Sequence, residues 1–316
     1  MVPREAILLT LYDRDEYVAP DELASAAGVD RAGLDAALDE LRRGGWKAAC
    51  EPGRGVRLVR PVRPAAVLVE RELHTRRVGR GVLCFDAVDS TNDVAAAAAP
   101  QGDADGLCVL AEFQRRGRGR MGRSWVSPHG ANLLMSVLLC DPLPPREALT
   151  VAAGLSVADG IEHVCGLRCG LKWPNDVELD GRKLAGVIVE APAAGDCLVV
   201  GAGVNVGAAP PGEAIHGAAA CLADAVGYPV ERVELARAIL RRLDAWVDAA
   251  CRGRLDELHA RWVGRCEMVN RRVAVRAGRR RHVGRVLDVS PTEGLVLACD
   301  NGRRVHIPAA GATLVP

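Results

Sequence analysis

The sequence predicts an α+β fold in three consecutive parts, and three observations carry that reading. Residues 1–62 read as three helices and a hairpin, the order of a winged helix-turn-helix. Residues 67–266 mix apolar strand-like runs with helices but lack the regular βαβ alternation of a parallel sheet. Residues 268–316 change to short alternating strands, the pattern of a small β-barrel.

Taken in order, Arg4–Asp13 carries apolar residues at helical spacing. Pro20-Asp21 opens a second helix that runs to Ala27. Asp30 is placed to cap a third helix over Arg31–Arg43, and Gly44-Gly45 stops it. Ala24 and Gly28 are small where two helices cross, while Leu34, Leu38 and Leu41 face a core. Ala48–Val59, with PGRG in its middle, reads as the wing. The third helix sets Asp35, Asp39 and Glu40 against Arg31, Arg42 and Arg43. A groove-reading helix normally offers Arg, Lys, Asn or Gln, so a winged helix kept for structure or regulation competes with a DNA-binding one.

Pro61-Val62-Arg63-Pro64 is a linker. Helix is expected over Leu68–Arg77, strand over Val82–Val88, and helix over Asn92–Ala99 capped by Ser90 or Thr91. Leu107–Phe113 and Asn132–Cys140 read as strands, and Arg146–Cys165 as an amphipathic helix. Strands follow at Arg168–Trp173, Asp176–Leu179, Lys183–Ala191 and Cys197–Val206, with Asp180-Gly181 as a hairpin signal. Helices are expected over His216–Val226, Glu231–Cys251 and Leu255–Val263. The last part reads as four strands: Arg272–Arg276, His282–Asp288, Glu293–Cys299 and Arg303–Pro308.

Composition narrows the class. The chain has 316 residues, 49% apolar and 26% charged, with a net charge of +1. A global attraction to nucleic acid or membrane is therefore not indicated. Residues 268–316 alone carry nine arginines against three acids, either a solvated face or one turned to an acidic partner. Eleven cysteines include no CxxC pair and read as small buried residues of a reducing, cytoplasmic protein. Charges begin at Arg4 without an apolar leader, and no apolar run approaches the ~20 residues of a membrane span.

Between two strand-like runs lies Gln114–Gly130, QRRGRGRMGRSWVSPHG, in which Arg116, Arg118, Arg120 and Arg123 interleave with Gly117, Gly119 and Gly122. Glycines let backbone N–H groups approach a ligand, and guanidiniums clamp phosphate or carboxylate oxygens. A solvated basic loop or an RGG-type RNA patch would use the same residues. The run has little to bury, so the loop is expected to be mobile without ligand and ordered with it. A second polar cluster, LKWPND at Leu171–Asp176, precedes RKLAGVIVE at Arg182–Glu190.

GRGRMGRSW, SPHGAN, KWPND, RKLAGVIVE and GAGVNV (Gly201–Val206), in this order, resemble the motifs of biotin–protein ligases over Val82 to Pro316. With the N-terminal part, the chain is similar to the bifunctional type that is also a biotin-operon repressor. The resemblance implies a class II synthetase-like central domain and an SH3-like C-terminal barrel. It implies biotinyl-5′-AMP formation from biotin and ATP with Mg2+, without a bound prosthetic group. Biotin then passes to a lysine of a biotin carboxyl carrier protein of an acyl-CoA carboxylase. Operator DNA and a homodimer with adenylate bound are further implied partners, and no membrane.

Under that resemblance Lys183, Arg118 and Arg120 are the catalytic cations. Ser90, Thr91, Asn92, Gln114, Gly117, Arg118, Arg120, Lys183 and Gly186 bind biotin; its ureido group needs hydroxyl and amide partners. Arg120, Arg123, Trp125, Asn175 and Asn205 bind the nucleotide, and Asp176 holds Mg2+ or positions the incoming lysine. Gly186, Gly201 and Gly203 admit the flat rings. Met121 departs from an arginine found in some relatives. Two alternatives stay open: a lipoate–protein ligase, and a biotin-sensing transcription factor without catalysis.

Overall fold

The computed structural model describes residues 1–101, 104–193, 196–210, 219–309 and 311–315. Helices α1 (Pro3–Tyr12), α2 (Pro20–Ala27) and α3 (Arg31–Arg43) open the chain. α2 begins on a proline and ends at Gly28 in a left-handed cap, the asymmetry that proline and glycine favour. α3 begins where the Gly33 amide donates to Asp30 Oδ1 at 2.9 Å. Its Leu34, Ala37, Leu38 and Leu41 are buried against α1 and α2. The wing is an antiparallel pair, β1 (Ala48–Glu51) and β2 (Gly55–Leu58).

α4 (Ala66–Glu70) is shorter than the expected Leu68–Arg77. Glu72 and His74 take left-handed φ values of 54° and 52°, which end the helix. The amides of Arg76, Arg77 and Val78 then donate to Asp244.

The central sheet joins β3 (Gly81–Val88), β4 (Leu107–Gln114), β5 (Leu133–Cys140), β6 (Gly170–Lys172), β7 (Asp176–Leu179), β8 (Arg182–Glu190) and β9 (Cys197–Val204). Their order is β3-β4-β5-β9-β8-β7-β6. Only β3 and β4 run parallel, which requires a crossover, and α5 (Thr91–Ala98) supplies it. Asp180 and Gly181 both have positive φ and turn β7 into β8 as a two-residue hairpin. β6 is shorter than expected, because only Gly170–Lys172 pairs with β7.

α6 (Arg146–Cys165) was expected to be amphipathic and is instead buried on nearly all sides. It lies between the sheet and α8 (Arg232–Cys251). The expectation of no span-length apolar helix also fails on composition. α6 reaches a mean hydropathy of 1.2, yet 72% of that window is buried within the fold, so it reads as a core helix. α5 covers the other sheet face through Ala95, Val109, Leu138 and Val199.

α7 spans Leu222–Val226; residues 216–218 of the longer expected helix lie outside the described residues. α9 (Leu255–Val263) leads into the last sheet. That sheet is antiparallel in the order β13-β12-β11-β10-β14, from β10 (Arg272–Ala277), β11 (Arg280–Ser290), β12 (Gly294–Cys299), β13 (Arg304–Pro308) and β14 (Ala312–Val315). The fifth strand, β14, was not expected.

The N-terminal helices touch α8 at defined points. Tyr12 Oη donates to Glu234 at 2.8 Å, and the Val62 amide donates to Glu231 at 3.1 Å. The reading of all cysteines as simple buried residues also needs correction. Cys140 and Cys197 face each other on β5 and β9 and form a disulfide, while Cys50 and Cys251 are exposed. Their pairing follows from strand register, which spacing along the chain does not reveal.

Candidate active site

Adjacent central strands β8 and β9 carry glycine where the site needs a floor. A Cβ on Gly203 would sit 2.4 Å from Trp125 Cε2, and one on Gly186 3.2 Å from Trp125 Cζ3. Trp125 therefore lies flat across both strands. Its Nε1 is buried with no hydrogen-bond partner among the described residues, and Lys183 Nζ stands 5.7 Å from the ring centroid. A Cβ on Gly201 would lie 2.4 Å from Asn92 Oδ1. These glycines are needed for close approach rather than for unusual φ.

Ser90, Thr91 and Asn92 are all buried at the start of α5. Ser90 caps the helix, accepting from the Asn92 amide at 3.3 Å. Thr91 donates through its amide and its hydroxyl to Gln114 Oε1, at 2.7 and 2.9 Å. Asn92 Nδ2 donates to Glu190 at 2.6 Å. Ser136 joins the network, its Oγ 2.6 Å from Thr91 Oγ1 and 2.5 Å from Asn92 Oδ1; one proton serves those two acceptors. Sequence reasoning gave Ser136 and Glu190 no role. A lone serine in the apolar run LLMSVLL, and the acid ending RKLAGVIVE, were the available signals.

The loop folds back on itself. The Gly119 amide donates to the Arg123 carbonyl at 2.7 Å, and the Trp125 amide to the Gly117 carbonyl at 2.9 Å. Gly117 is buried against this turn: a Cβ there would lie 2.5 Å from the Trp125 carbonyl oxygen. Arg118 is held by two carboxylates, Asp93 at 2.8 Å and Glu190 at 3.0 Å. These hydrogen bonds raise its pKa further. Burial pushes the Glu190 carboxyl up, but the Arg118 and Asn92 hydrogen bonds outweigh it and leave Glu190 below the usual range. Arg120 and Arg123 reach the last sheet, donating to the Ala309 carbonyl and to Thr313 Oγ1. Burial lowers the Arg120 pKa; Asp176 opposes that shift, while Arg123 and Arg146 add to it. Arg115 and Arg116 are exposed beside Asp89.

Lys183 bonds Asp176 at 2.6 Å across the β7–β8 ladder. Asn175 Nδ2 donates to the Val187 carbonyl at 2.7 Å, which locks the turn between β6 and β7. Asn205 Nδ2 donates to the Ala220 carbonyl at 3.1 Å, while its Oδ1 is buried and has no partner among the described residues. Such an orphan acceptor is costly and fits an N–H supplied by a ligand. Among the described residues no group of three acidic, His or Cys side chains gathers to hold a metal. Asp176 alone, with the remaining oxygens from phosphate and water, suits magnesium.

The arrangement thus brings together a polar cluster, a glycine floor and cations, the parts needed to hold two anions side by side. The Biotin/lipoate A/B protein ligase family matches residues 81–205, which hold nearly all of these groups. The bifunctional ligase/repressor BirA of Bacillus subtilis (strain 168) is 30% identical over 235 residues, covering 72% of this chain and 72% of that protein. The biotin–[acetyl-CoA-carboxylase] ligase of Mycobacterium tuberculosis (strain ATCC 25618 / H37Rv) is 35% identical over 257 residues, covering 77% and 94%. The solved biotin protein ligase from Aquifex aeolicus, in complex with biotin and ATP, superposes with a TM-score of 0.64 at 26% identity, over 75% of this chain and 99% of that one. Motif order, fold and relatives agree, and the chain belongs to the biotin–protein ligase family.

Proposed function

We propose that the chain is an ATP-dependent biotin–protein ligase that forms biotinyl-5′-AMP and passes biotin to a carrier-protein lysine. One observation carries the reading: Thr91 and Asn92 form a hydrogen-bonded polar cluster with Gln114 and Glu190, Arg118 joins it through Glu190, and Lys183 stands beside Trp125. In the first step a biotin carboxylate oxygen bonds to the α-phosphorus of ATP, and the bond to pyrophosphate breaks. Lys183 leaves Asp176 to sit between the two anions, and Arg118 and Arg120 reduce their repulsion. Gln114, Thr91, Asn92 and Ser90 fix the ureido ring, and Gly117 and Gly186 let the Trp125 backbone and ring pack close beside it. Arg123 takes the departing pyrophosphate, Asn205 Oδ1 accepts from the adenine amino group, and Trp125 walls the adenylate from water. Asn175 supports the nucleotide side by fixing the WPND turn.

In the second step the lysine amine attacks the acyl carbon and AMP leaves with the phosphate oxygen. Asp176, released by Lys183, would position that amine or hold a magnesium ion, which would supply charge neutralisation on the phosphates. The carrier is an acyl-CoA carboxylase subunit, and the setting is cytoplasmic. Lipoate fits less well, because its dithiolane ring offers no N–H or carbonyl to the Thr91, Asn92, Ser136 and Gln114 side chains.

Regulation through duplex DNA is a second part of the reading, along with dimerisation of the adenylate-bound form. α3 supports it poorly, since Arg31 and Arg42 are paired to Asp35 and Asp39 on the same helix. The wing offers Arg54 and Arg57, both stacked on Tyr17 at 4.4 and 5.1 Å.

The test is transfer. Incubation with ATP, Mg2+, biotin and a biotin-free carrier domain should add one biotinyl mass to one lysine, seen by mass spectrometry. Lipoate in place of biotin should add nothing. Modification by lipoate alone would contradict the reading.

A further inference from the structure

Three loop arginines flank the site, and they are held in two different ways. Arg118 is neutralised by Asp93 and Glu190. Arg120 and Arg123 have no carboxylate within ion-pair distance among the described residues. Each is instead held by a neutral oxygen near the end of the chain: the Ala309 carbonyl at 3.3 Å for Arg120, and Thr313 Oγ1 for Arg123. A neutral acceptor fixes a guanidinium in direction without cancelling its charge.

Thr313 is built for this. It lies on β14, opposite Arg276 in the β10–β14 ladder, and is 4% exposed. Its hydroxyl proton points to the Leu314 carbonyl at 3.3 Å, so its lone pairs face the guanidinium. Branching at Cβ restricts χ1, which keeps that oxygen in place. The contact crosses from residue 123 to residue 313, so no local pattern in the sequence announces it.

We infer that Thr313 is a positioning residue for the nucleotide step: the C-terminal sheet aims Arg123, uncompensated, at the departing phosphates. The inference rests on the ligase reading above. The last sheet is then part of the phosphate clamp.

The experiment is pyrophosphate release from full-length protein with ATP, Mg2+ and biotin. Thr313→Val should raise the KM for ATP about tenfold, the size of one hydrogen bond to a charged group. The kcat and the KM for biotin should stay within about twofold, and Thr313→Ser should restore the wild-type KM for ATP. In an Arg123→Ala background Thr313→Val should add nothing, since the two act as one unit. A Thr313→Val loss that persists undiminished in that background would mark damage to the sheet and overturn the inference. So would wild-type kinetics in Thr313→Val, and either result would leave the ligase reading standing. No release by the wild type would remove both.

Discussion

The arginine loop and α3 are both arginine-rich, yet they settle their charge in different ways. The carboxylates facing Arg118 come from other elements, Asp93 on α5 and Glu190 on β8. Arg120 and Arg123 reach neutral oxygens of a third region. Their charges converge because the fold, not the local chain, decides where they point. On α3 the partners lie one helical turn away, Asp35 at 3.6 Å from Arg31 and Asp39 at 2.7 Å from Arg42. Such pairs settle charge locally and add little. The two regions differ in the origin of their counter-charge more than in their number of arginines.

That contrast can be broken at several points. Within the loop, Arg120→Ala should lower the adenylation rate about a hundredfold, while Arg42→Ala leaves it unchanged; parallel pyrophosphate assays compare them. Next is support for the floor. Gly201→Val places carbon where Asn92 Oδ1 stands, and should raise the KM for biotin about ten- to a hundredfold, because small misplacements are amplified. Arg232 and Glu112 form a pair 7% and 8% exposed beneath the Gly130 turn. Arg232→Ala should cost about 3–5 kcal/mol in urea unfolding, since a lone carboxylate stays buried. On α3, Asp35→Lys with Asp39→Lys should steepen the salt dependence of duplex binding by about 0.9 in log–log slope per phosphate gained. An unchanged slope would mean that α3 faces away from DNA.

The smallest effect concerns pH. Glu190 has a folded pKa below its ordinary value of about 4.3, so it binds protons less readily when folded. Its contribution to stability is present above that ordinary value and is lost as pH falls through the lower folded one. Glu190→Gln should therefore leave the pH 6–8 stability profile flat and soften only the acid limb of the unfolding curve.

Much of this was legible. Caps and stops placed α2, α3, α5 and α8 within a residue or two, because proline, glycine and Asx signals act locally. Motifs singled out Lys183, Thr91, Asn92 and Gln114, and the structure ties Thr91 and Asn92 on α5 to Gln114 on β4 and Glu190 on β8, while Lys183 pairs with Asp176. Ser136, Glu190, Thr313 and the Cys140–Cys197 bond were missed because each depends on register or on contact between distant segments. The Leu68–Arg77 helix failed for a related reason: amides that a helix would have used go to Asp244 instead. α6 looked amphipathic until α8 covered its outer side.

The most direct measurement is pyrophosphate release from ATP and Mg2+, with biotin and separately with lipoate, on wild type and Lys183→Ala. The account predicts release with biotin only, reduced about a hundredfold or more in Lys183→Ala, with both proteins equally folded. Release with lipoate only, or equal release by Lys183→Ala, would contradict it.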